Sequence, residues 1–194
     1  MLETRRLILR GWTDADAGSL FEYASDPEIG PSAGWPAHRS VTESLETIRN
    51  VLSSAECYAV CGKIDGIAIG AAALKLSGHT DLTSRVDECE LGYWLGKPFW
   101  GRGYITEAAG ELLRHGFEEL GMRAVWCGYY DGNERSRRVQ EKLGFIHHHT
   151  RENVPLSLLN EIRTEQISVI TKTRWEELWT CRSSRAAGDQ EAYT

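Results

Sequence analysis

The stretch NERSRRVQEKLGF, residues 133–145, places three arginines and a lysine on a short predicted helix, in a chain whose net charge is −6. Side chains four residues apart share one face of a helix, so Arg138 and Lys142 point in the same direction. Two cations on one face suit an anion such as a phosphate, while the other arginines are expected to form surface ion pairs with the two glutamates of the segment. This helix is therefore predicted to contact an anionic ligand.

A second stretch, WGRGYITEA at residues 100–108, holds two glycines between a predicted strand and a predicted helix. Gly101 and Gly103 can take backbone conformations that turn successive N–H groups to one side. A helix that starts near Thr106 adds its free amides and the positive end of its dipole, and Arg102 can add a charge-assisted hydrogen bond. This pattern favours a pyrophosphate site, although such turns also hold two glycines for steric reasons alone. The sequence contains neither a P-loop nor a dinucleotide-binding glycine motif.

Hydrophobic periodicity predicts strands and helices that would hold these two stretches in one domain. Thr13 and Asp16 form a capping box that opens the first helix, and Gly121 ends the long helix after the glycine turn. The element order is that of a mixed α+β domain over residues 1–180, followed by a tail at 181–194 whose composition predicts disorder. The predicted strands are 4–12, 56–61, 67–76, 88–95, 124–130, 145–151 and 165–171, and the predicted helices are about 12 residues after Thr13, 40–54, 106–120 and 134–143.

Composition excludes several classes of protein. The net charge of −6 disfavours nucleic acid as a partner and suits a cationic acceptor such as an amine. No apolar run approaches the ~20 residues of a membrane span, and the N-terminal segment MLETRRLILRGW is too charged for a signal peptide, so the chain is expected to be cytoplasmic. Cysteines are scattered, and the successive His147, His148 and His149 point to alternate faces of a strand. Neither a disulfide framework nor a metal site is predicted.

Taken together, GYWLGKPFWGRGYITEA and the later AVWCGYYDGNERSRRVQEKLGF resemble the GNAT superfamily of acetyl-CoA-dependent N-acetyltransferases, in its RimJ/RimL-like branch of ribosomal-protein N-terminal acetyltransferases. The family pattern is Q/R-x-x-G-x-G/A opening a long helix, then a strand, then N-x-x-S/A leading to K-x-G-F. The resemblance implies a GNAT fold, with a twisted, mostly antiparallel sheet of about seven strands flanked by about four helices. Trp100, Ile105 and Gln140 depart from the pattern, and many members carry a general-acid tyrosine at the last position.

The resemblance also implies a site for acetyl-CoA. Backbone groups near Leu95, on a strand that splays from its neighbour, would bond the pantetheine and the thioester carbonyl, and Asn133 would bond the pantetheine from the other strand. Ser136 would give a proton to the departing thiolate. The implied cofactor contacts are Trp94, Leu95, Trp100, Gly101, Arg102, Gly103, Tyr104, Ile105, Thr106, Asn133, Ser136, Arg138 and Lys142.

Acetyl transfer to an amine needs a neutral amine, a held thioester and a proton donor. An α-amine has a pKa near 8, so about a tenth of it is neutral at pH 7 and a modest carboxylate suffices as base. Glu152 is the first candidate for this base and Glu90 is the second. The branch implies a protein N-terminus as acceptor. A small-molecule amine, a silent acyl-CoA-binding module and a nucleotide-binding regulator stay open, as do a monomer and a homodimer.

Overall fold

The computed structural model describes residues 1–179, so the tail predicted at 181–194 lies outside the described residues. Its strands are β1 (Leu2–Glu3), β2 (Leu7–Arg10), β3 (Cys57–Gly62), β4 (Ala68–Lys75), β5 (Glu88–Leu95), β6 (Ala124–Tyr130), β7 (Ile146–Leu156) and β8 (Glu161–Thr171). Its helices are α1 (Ala17–Ala24), α2 (Val41–Thr47), α3 (Tyr104–Arg114), α4 (Glu134–Leu143) and α5 (172–179). The strands form one sheet in the order β1-β2-β3-β4-β5-β6-β8-β7.

The predicted α+β class is confirmed, with eight strands and a fifth helix where about seven strands and four helices were expected. The predicted strand 4–12 is shorter in the structure, where β2 covers only Leu7–Arg10, because residues 4–7 form a turn after β1 in which the Thr4 amide donates to the Leu7 carbonyl at 2.9 Å. The late strands are longer than predicted, because β7 is an exposed edge strand whose register shifts twice against β8. These shifts break the alternation on which a strand prediction depends.

Local signals explain where the helices begin. The capping box of Thr13 and Asp16 is present, and the Asp16 carboxylate accepts hydrogen bonds from the Thr13 amide and hydroxyl, each at 2.9 Å. α3 begins at Tyr104 rather than at Thr106, because Gly103 takes a φ of 76° and turns the chain straight into the helix. Each of α2 and α3 is extended by its own π-helical segment, Ile48–Leu52 after α2 and His115–Glu119 after α3.

The sheet has helices on both faces. Leu91 and Tyr93 of β5 pack in the main core with Leu112 and Phe117, which follow the apolar face of α3. Trp94, the next residue of β5, packs instead with the cluster formed by α1 and α2. Successive strand residues point to opposite faces, so the sheet has an α3/α4 face and an α1/α2 face. At the site described next, the two faces of the sheet carry different functional side chains.

Candidate active site

Strands β5 and β6 begin side by side and then separate. They are the one parallel pair among the described strands, and their pairing covers three positions, ending at Glu90 and Trp126. Beyond this point β5 remains paired with β4 as far as Leu95, and β6 remains paired with β8 as far as Tyr130. The facing edges of 91–95 and 127–130 therefore enclose an opening, called the wedge below. The splay that the resemblance implied is confirmed.

The glycine turn, residues 100–103, lies at the start of α3. Gly101 and Gly103 have φ values of 74° and 76°, in the region that favours glycine. The Glu107 amide is the first in α3 to bond a backbone carbonyl, that of Gly103 at 3.0 Å, so the amides of 104–106 have no partner inside the helix. No atom lies within 4 Å of the place where a Cβ on Gly101 would stand. The N–H groups without a helical partner, the helix dipole and the open space at Gly101 together suit a pyrophosphate.

A partly buried ion pair ties this turn to the N-terminal strands. The Glu107 carboxylate accepts hydrogen bonds from the Thr4 hydroxyl at 2.6 Å, the Arg6 amide at 2.8 Å and Arg6 Nε at 2.7 Å. Arg6 also donates to the Arg102 carbonyl at 3.1 Å, and its guanidinium lies 4.4 Å from the ring centroid of Tyr104. Burial alone would raise the Glu107 pKa, but the hydrogen bonds outweigh it and lower the pKa. The glycine turn is thus held by residues distant in sequence, which no local pattern revealed.

Trp100 connects the glycine turn to the wedge. Its indole Nε1 donates to the Leu95 carbonyl at 2.7 Å, at the end of β5. The Arg135 guanidinium lies 3.8 Å from the Trp100 ring centroid, which is a favourable cation–π distance. One indole therefore joins the end of β5, the turn and the start of α4. The nearby Ile105, which departs from the family pattern, packs against the main core.

The cations of α4 point in different directions, as helical spacing requires. Arg137 pairs with Glu134 at 2.6 Å and with Glu141, which agrees with the surface ion pairs expected from the sequence. Arg138 is exposed and forms no ion pair within residues 1–179. Lys142 lies one turn further along, and the binding of a phosphate by these two residues stays a prediction. Arg135, rather than either of them, lies against the glycine turn.

Asn133 acts as the N-cap of α4. Its Oδ1 accepts a hydrogen bond from the Ser136 amide at 3.1 Å, and its Nδ2 donates to the Ser32 carbonyl at 3.2 Å. Both polar atoms of the side chain are therefore used inside the protein. The bond to pantetheine that the resemblance implied for Asn133 stays a prediction, whereas the cap itself fixes the position of Ser136 at the start of α4.

The Ser136 hydroxyl lies on the α3/α4 side of the wedge and has two polar neighbours. Tyr93 Oη of β5 is 3.0 Å from Ser136 Oγ, and Gln140 Nε2 is 3.5 Å from it. Gln140 is buried and also donates to the Gly128 carbonyl at 3.3 Å. Burial raises the pKa of Tyr93 well above its usual value, so the phenol stays protonated. Sequence reasoning selected Ser136 but missed Tyr93, because the contact spans 43 residues.

The two candidate bases lie in different places. Glu90 is at the narrow end of the wedge, where it accepts hydrogen bonds from Lys75 Nζ at 2.6 Å and from the Thr80 hydroxyl at 2.5 Å. Glu152 is exposed on β7, in the stretch where the register with β8 is irregular. The structure therefore brings Glu90 into the wedge and leaves Glu152 on the surface. A catalytic role for either residue stays a prediction.

Glu165 of β8 is an acid that the sequence analysis missed. Its Oε1 lies 2.5 Å from the place where a Cβ on Gly128 would stand, so a glycine at that position of β6 makes room for the carboxylate. Burial raises the pKa of Glu165; Arg151, 3.4 Å away, opposes this, and the charges of Asp81 and Glu90 add to it. A carboxylate with a raised pKa beside a cleft is a candidate proton acceptor.

Aromatic side chains line the α1/α2 side of the wedge. Trp94 packs edge-on against Trp35, with ring centroids 6.0 Å apart, so its side chain is on the opposite face from Ser136. Tyr130 lies against Gly34, and Arg163 of β8 donates to the Pro31 carbonyl at 2.6 Å. The loop that carries Trp35 is thereby fixed over the ends of β5 and β6.

Two further kinds of site were searched for in the described part of the chain. Within residues 1–179, no group of three His, Cys, Asp or Glu side chains is placed to hold a metal ion. The His148 ring lies against the rings of His149 and Trp126. No helix in the same range is both long and apolar enough to cross a bilayer.

Comparison with known proteins agrees with this geometry. A family profile described as Acetyltransferase (GNAT) domain matches residues 6–146. The uncharacterised N-acetyltransferase YoaA of Bacillus subtilis is 28% identical over 152 residues, which are 75% of this chain and 82% of the relative. Ribosomal-protein-S5-alanine acetyltransferase from Vibrio fischeri shares the fold with a TM-score of 0.69 and 16% identity, over 90% of this chain and 97% of the other.

A second solved structure supports the same fold. The microcin C7 self-immunity acetyltransferase MccE, in complex with acetyl-CoA and AMP, superimposes with a TM-score of 0.72 and 18% identity, over 87% of this chain and 93% of the other. The family match covers most of the chain, including the glycine turn, the wedge and α4. The chain therefore belongs to the GNAT acetyltransferase family, in its RimJ/RimL-like group, and it is an acetyl-CoA-dependent N-acetyltransferase.

Proposed function

We propose that the protein acetylates N-terminal α-amines of proteins, by direct attack of the amine within a ternary complex. The wedge is the observation that carries this proposal, because it opens the sheet between two faces that present different functional groups. The glycine turn and Ser136 belong to the α3/α4 side, and Glu90 and Glu165 belong to the α1/α2 side. Two substrates that enter from opposite faces can react where they meet, without a covalent enzyme intermediate.

The residues on the α3/α4 side fit an acyl-CoA. The unpaired amides of 104–106 and the open space in front of Gly101 can hold a pyrophosphate. The edge of β5 at 91–95, which faces the wedge, is not paired with β6 and can offer backbone groups to an extended amide chain such as pantetheine, while the Leu95 carbonyl is already bonded to Trp100. Arg135 supplies positive charge against the turn, and Arg138 is proposed to add to it. When bound, acetyl-CoA supplies an activated acetyl thioester.

An α-amine suits the carboxylates on the other side. Lysine, with a pKa near 10.4, is neutral in only about four parts in ten thousand at pH 7, whereas an α-amine is neutral in about one part in ten. A carboxylate can remove the remaining proton from an α-amine during transfer without being a strong base. Glu165 is the better placed candidate, because Glu90 is already bonded to Lys75 and Thr80. The RimJ/RimL-like motifs support the same acceptor.

Transfer to peptides tests this function. Peptides that begin with Ser, Ala or Met and contain one internal lysine are incubated with acetyl-CoA, and CoA-SH release is followed together with the mass of the product. We expect release only with a free N-terminus, and a single acetyl group at the α-nitrogen. The matched control is the same set of peptides with a formylated N-terminus, in which lysine is the only amine.

Other results would overturn the proposal in different ways. Transfer to the formylated peptides would assign the enzyme to lysine side chains. Transfer to polyamines alone would assign it to small-molecule amines. Acetyl-CoA binding by calorimetry, without turnover on any amine, would support the silent acyl-CoA-binding alternative, which is suggested by the departures from the family pattern at Gln140 and Ile105.

The base is tested with Glu165→Gln. We expect kcat/KM to fall about 10- to 100-fold, because the amide keeps the shape of the side chain but cannot accept a proton. The raised pKa of Glu165 predicts that wild-type activity increases with pH as this carboxyl loses its proton, and that the acidic limb disappears in the variant. Glu152→Gln is the matched control and should stay within about twofold of wild type. If Glu152→Gln lost more activity than Glu165→Gln, Glu152 would be assigned as the base instead.

A further inference from the structure

The Tyr93 hydroxyl is placed to control the direction of the Ser136 proton. It lies 3.0 Å from Ser136 Oγ and 3.2 Å from the Ser136 backbone carbonyl. The carbonyl can only accept, so the phenol donates either to that carbonyl or to the serine oxygen. Tyr93 packs within the main core on the splayed part of β5 and therefore approaches Ser136 from the protein side.

The second neighbour of the serine hydroxyl is also a donor. Gln140 Nε2 points at Ser136 Oγ from one helical turn further along α4, at 3.5 Å. When Tyr93 and Gln140 direct their hydrogens at the serine oxygen, they occupy its lone pairs. The hydroxyl hydrogen of Ser136 must then point away from Tyr93 and Gln140 and toward the open side of the wedge. A hydroxyl fixed in this way is a preorganised proton donor.

We propose that Tyr93 is the positioning residue for Ser136, which it holds ready to protonate the departing thiolate; this inference rests on the acetyl transfer proposed above. Ser136 gives its proton to sulfur as the carbon–sulfur bond breaks with its electron pair on sulfur. Tyr93 donates to the serine oxygen while charge develops there, and a proton shed by the attacking amine and carried by water restores the hydroxyl. The balance requires no further reactant.

The same contact accounts for the departure at Gln140. Where many relatives have a tyrosine on the helix, this chain has an amide, and a tyrosine hydroxyl is brought to the neighbouring Ser136 from β5 instead. The phenol thus comes from the strand rather than from the helix. Because the Tyr93 phenol stays protonated, it donates a hydrogen bond throughout the reaction, and Ser136 is the group that gives up its proton.

The test begins with Tyr93→Phe, which keeps the ring in the core and removes only the hydroxyl. With the best acceptor peptide from the panel, we expect kcat to fall about 10-fold while KM for acetyl-CoA changes less than about twofold, because the lost contact acts only during transfer. Tyr58→Phe is the matched control, because Tyr58 lies on β3 outside the wedge and its hydroxyl donates to Glu56 at 2.6 Å; this variant should leave both constants unchanged. A wild-type kcat in Tyr93→Phe would overturn the inference.

A double-mutant cycle separates this role from general support of the fold. If Tyr93 acts through Ser136, Tyr93→Phe should cause less than about a twofold further loss in a Ser136→Ala background. An equal loss in both backgrounds would overturn the inference and leave the acetyl transfer standing. A wild-type enzyme that transfers acetyl to no amine would overturn the proposed function and this inference with it, and that failure is seen before any variant is made.

Discussion

Replacing Gly103 with glutamate is expected to weaken the binding of acetyl-CoA at least about 100-fold. At a φ of 76° a side chain strains the backbone, at a cost of about 1–3 kcal/mol. The new carboxylate also stands beside the unpaired amides of 104–106, where it repels a pyrophosphate and competes for the same donors. Isothermal titration of acetyl-CoA into wild type and variant measures the change directly.

The control for this result is Gly18→Glu. Gly18 lies in α1, nothing stands within 4 Å of its added Cβ, and the substitution makes the same change in charge. We expect wild-type affinity from this variant, and a native circular dichroism spectrum from both. If Gly103→Glu bound acetyl-CoA as tightly as wild type, the cofactor would have to lie elsewhere than on the glycine turn.

The second large effect is expected from Ser136→Ala. When the Ser136 hydroxyl is removed, the thiolate of CoA must leave without a positioned proton donor. We therefore expect kcat to fall about 100-fold. KM for acetyl-CoA should change little, because the lost interaction belongs to the transition state. Steady-state measurement of CoA-SH release with a saturating acceptor peptide gives both constants.

Ser53→Ala is the matched substitution for this experiment. Ser53 is outside the wedge, after the π-helical end of α2, and its hydroxyl donates to the Arg49 carbonyl at 2.7 Å. We expect wild-type kinetics from it. A Ser136→Ala enzyme as fast as wild type would mean that the thiolate takes its proton from water or from another side chain.

The elements around the wedge could be predicted because their patterns are local. The bounds of β5, β6 and α4 agree with the predictions 88–95, 124–130 and 134–143. Each is set off by glycine, proline or asparagine and has a clear period. The hairpin of β7 and β8 was shortened in the prediction because exposed polar residues and two register shifts hide its alternation. Residues 172–179 were not predicted to be helical at all.

The site was predictable only where a motif spans it. The glycine turn, Asn133 and Ser136 stand out because the family pattern names those positions. Tyr93 and Glu165 do not, since each acquires its role from a partner on another element, 43 residues away for Tyr93. Contacts of this kind depend on the register of the sheet, which the one-dimensional pattern of the chain does not contain.

The closeness of Glu165 to Gly128 ties the evolution of two strands together. A side chain on Gly128 would displace the carboxylate, since its Cβ would stand 2.5 Å from Oε1. A larger residue at Gly128 therefore requires the end of the Glu165 side chain to leave its present position beside the wedge. We expect these two residues, on neighbouring strands, to change together among homologues.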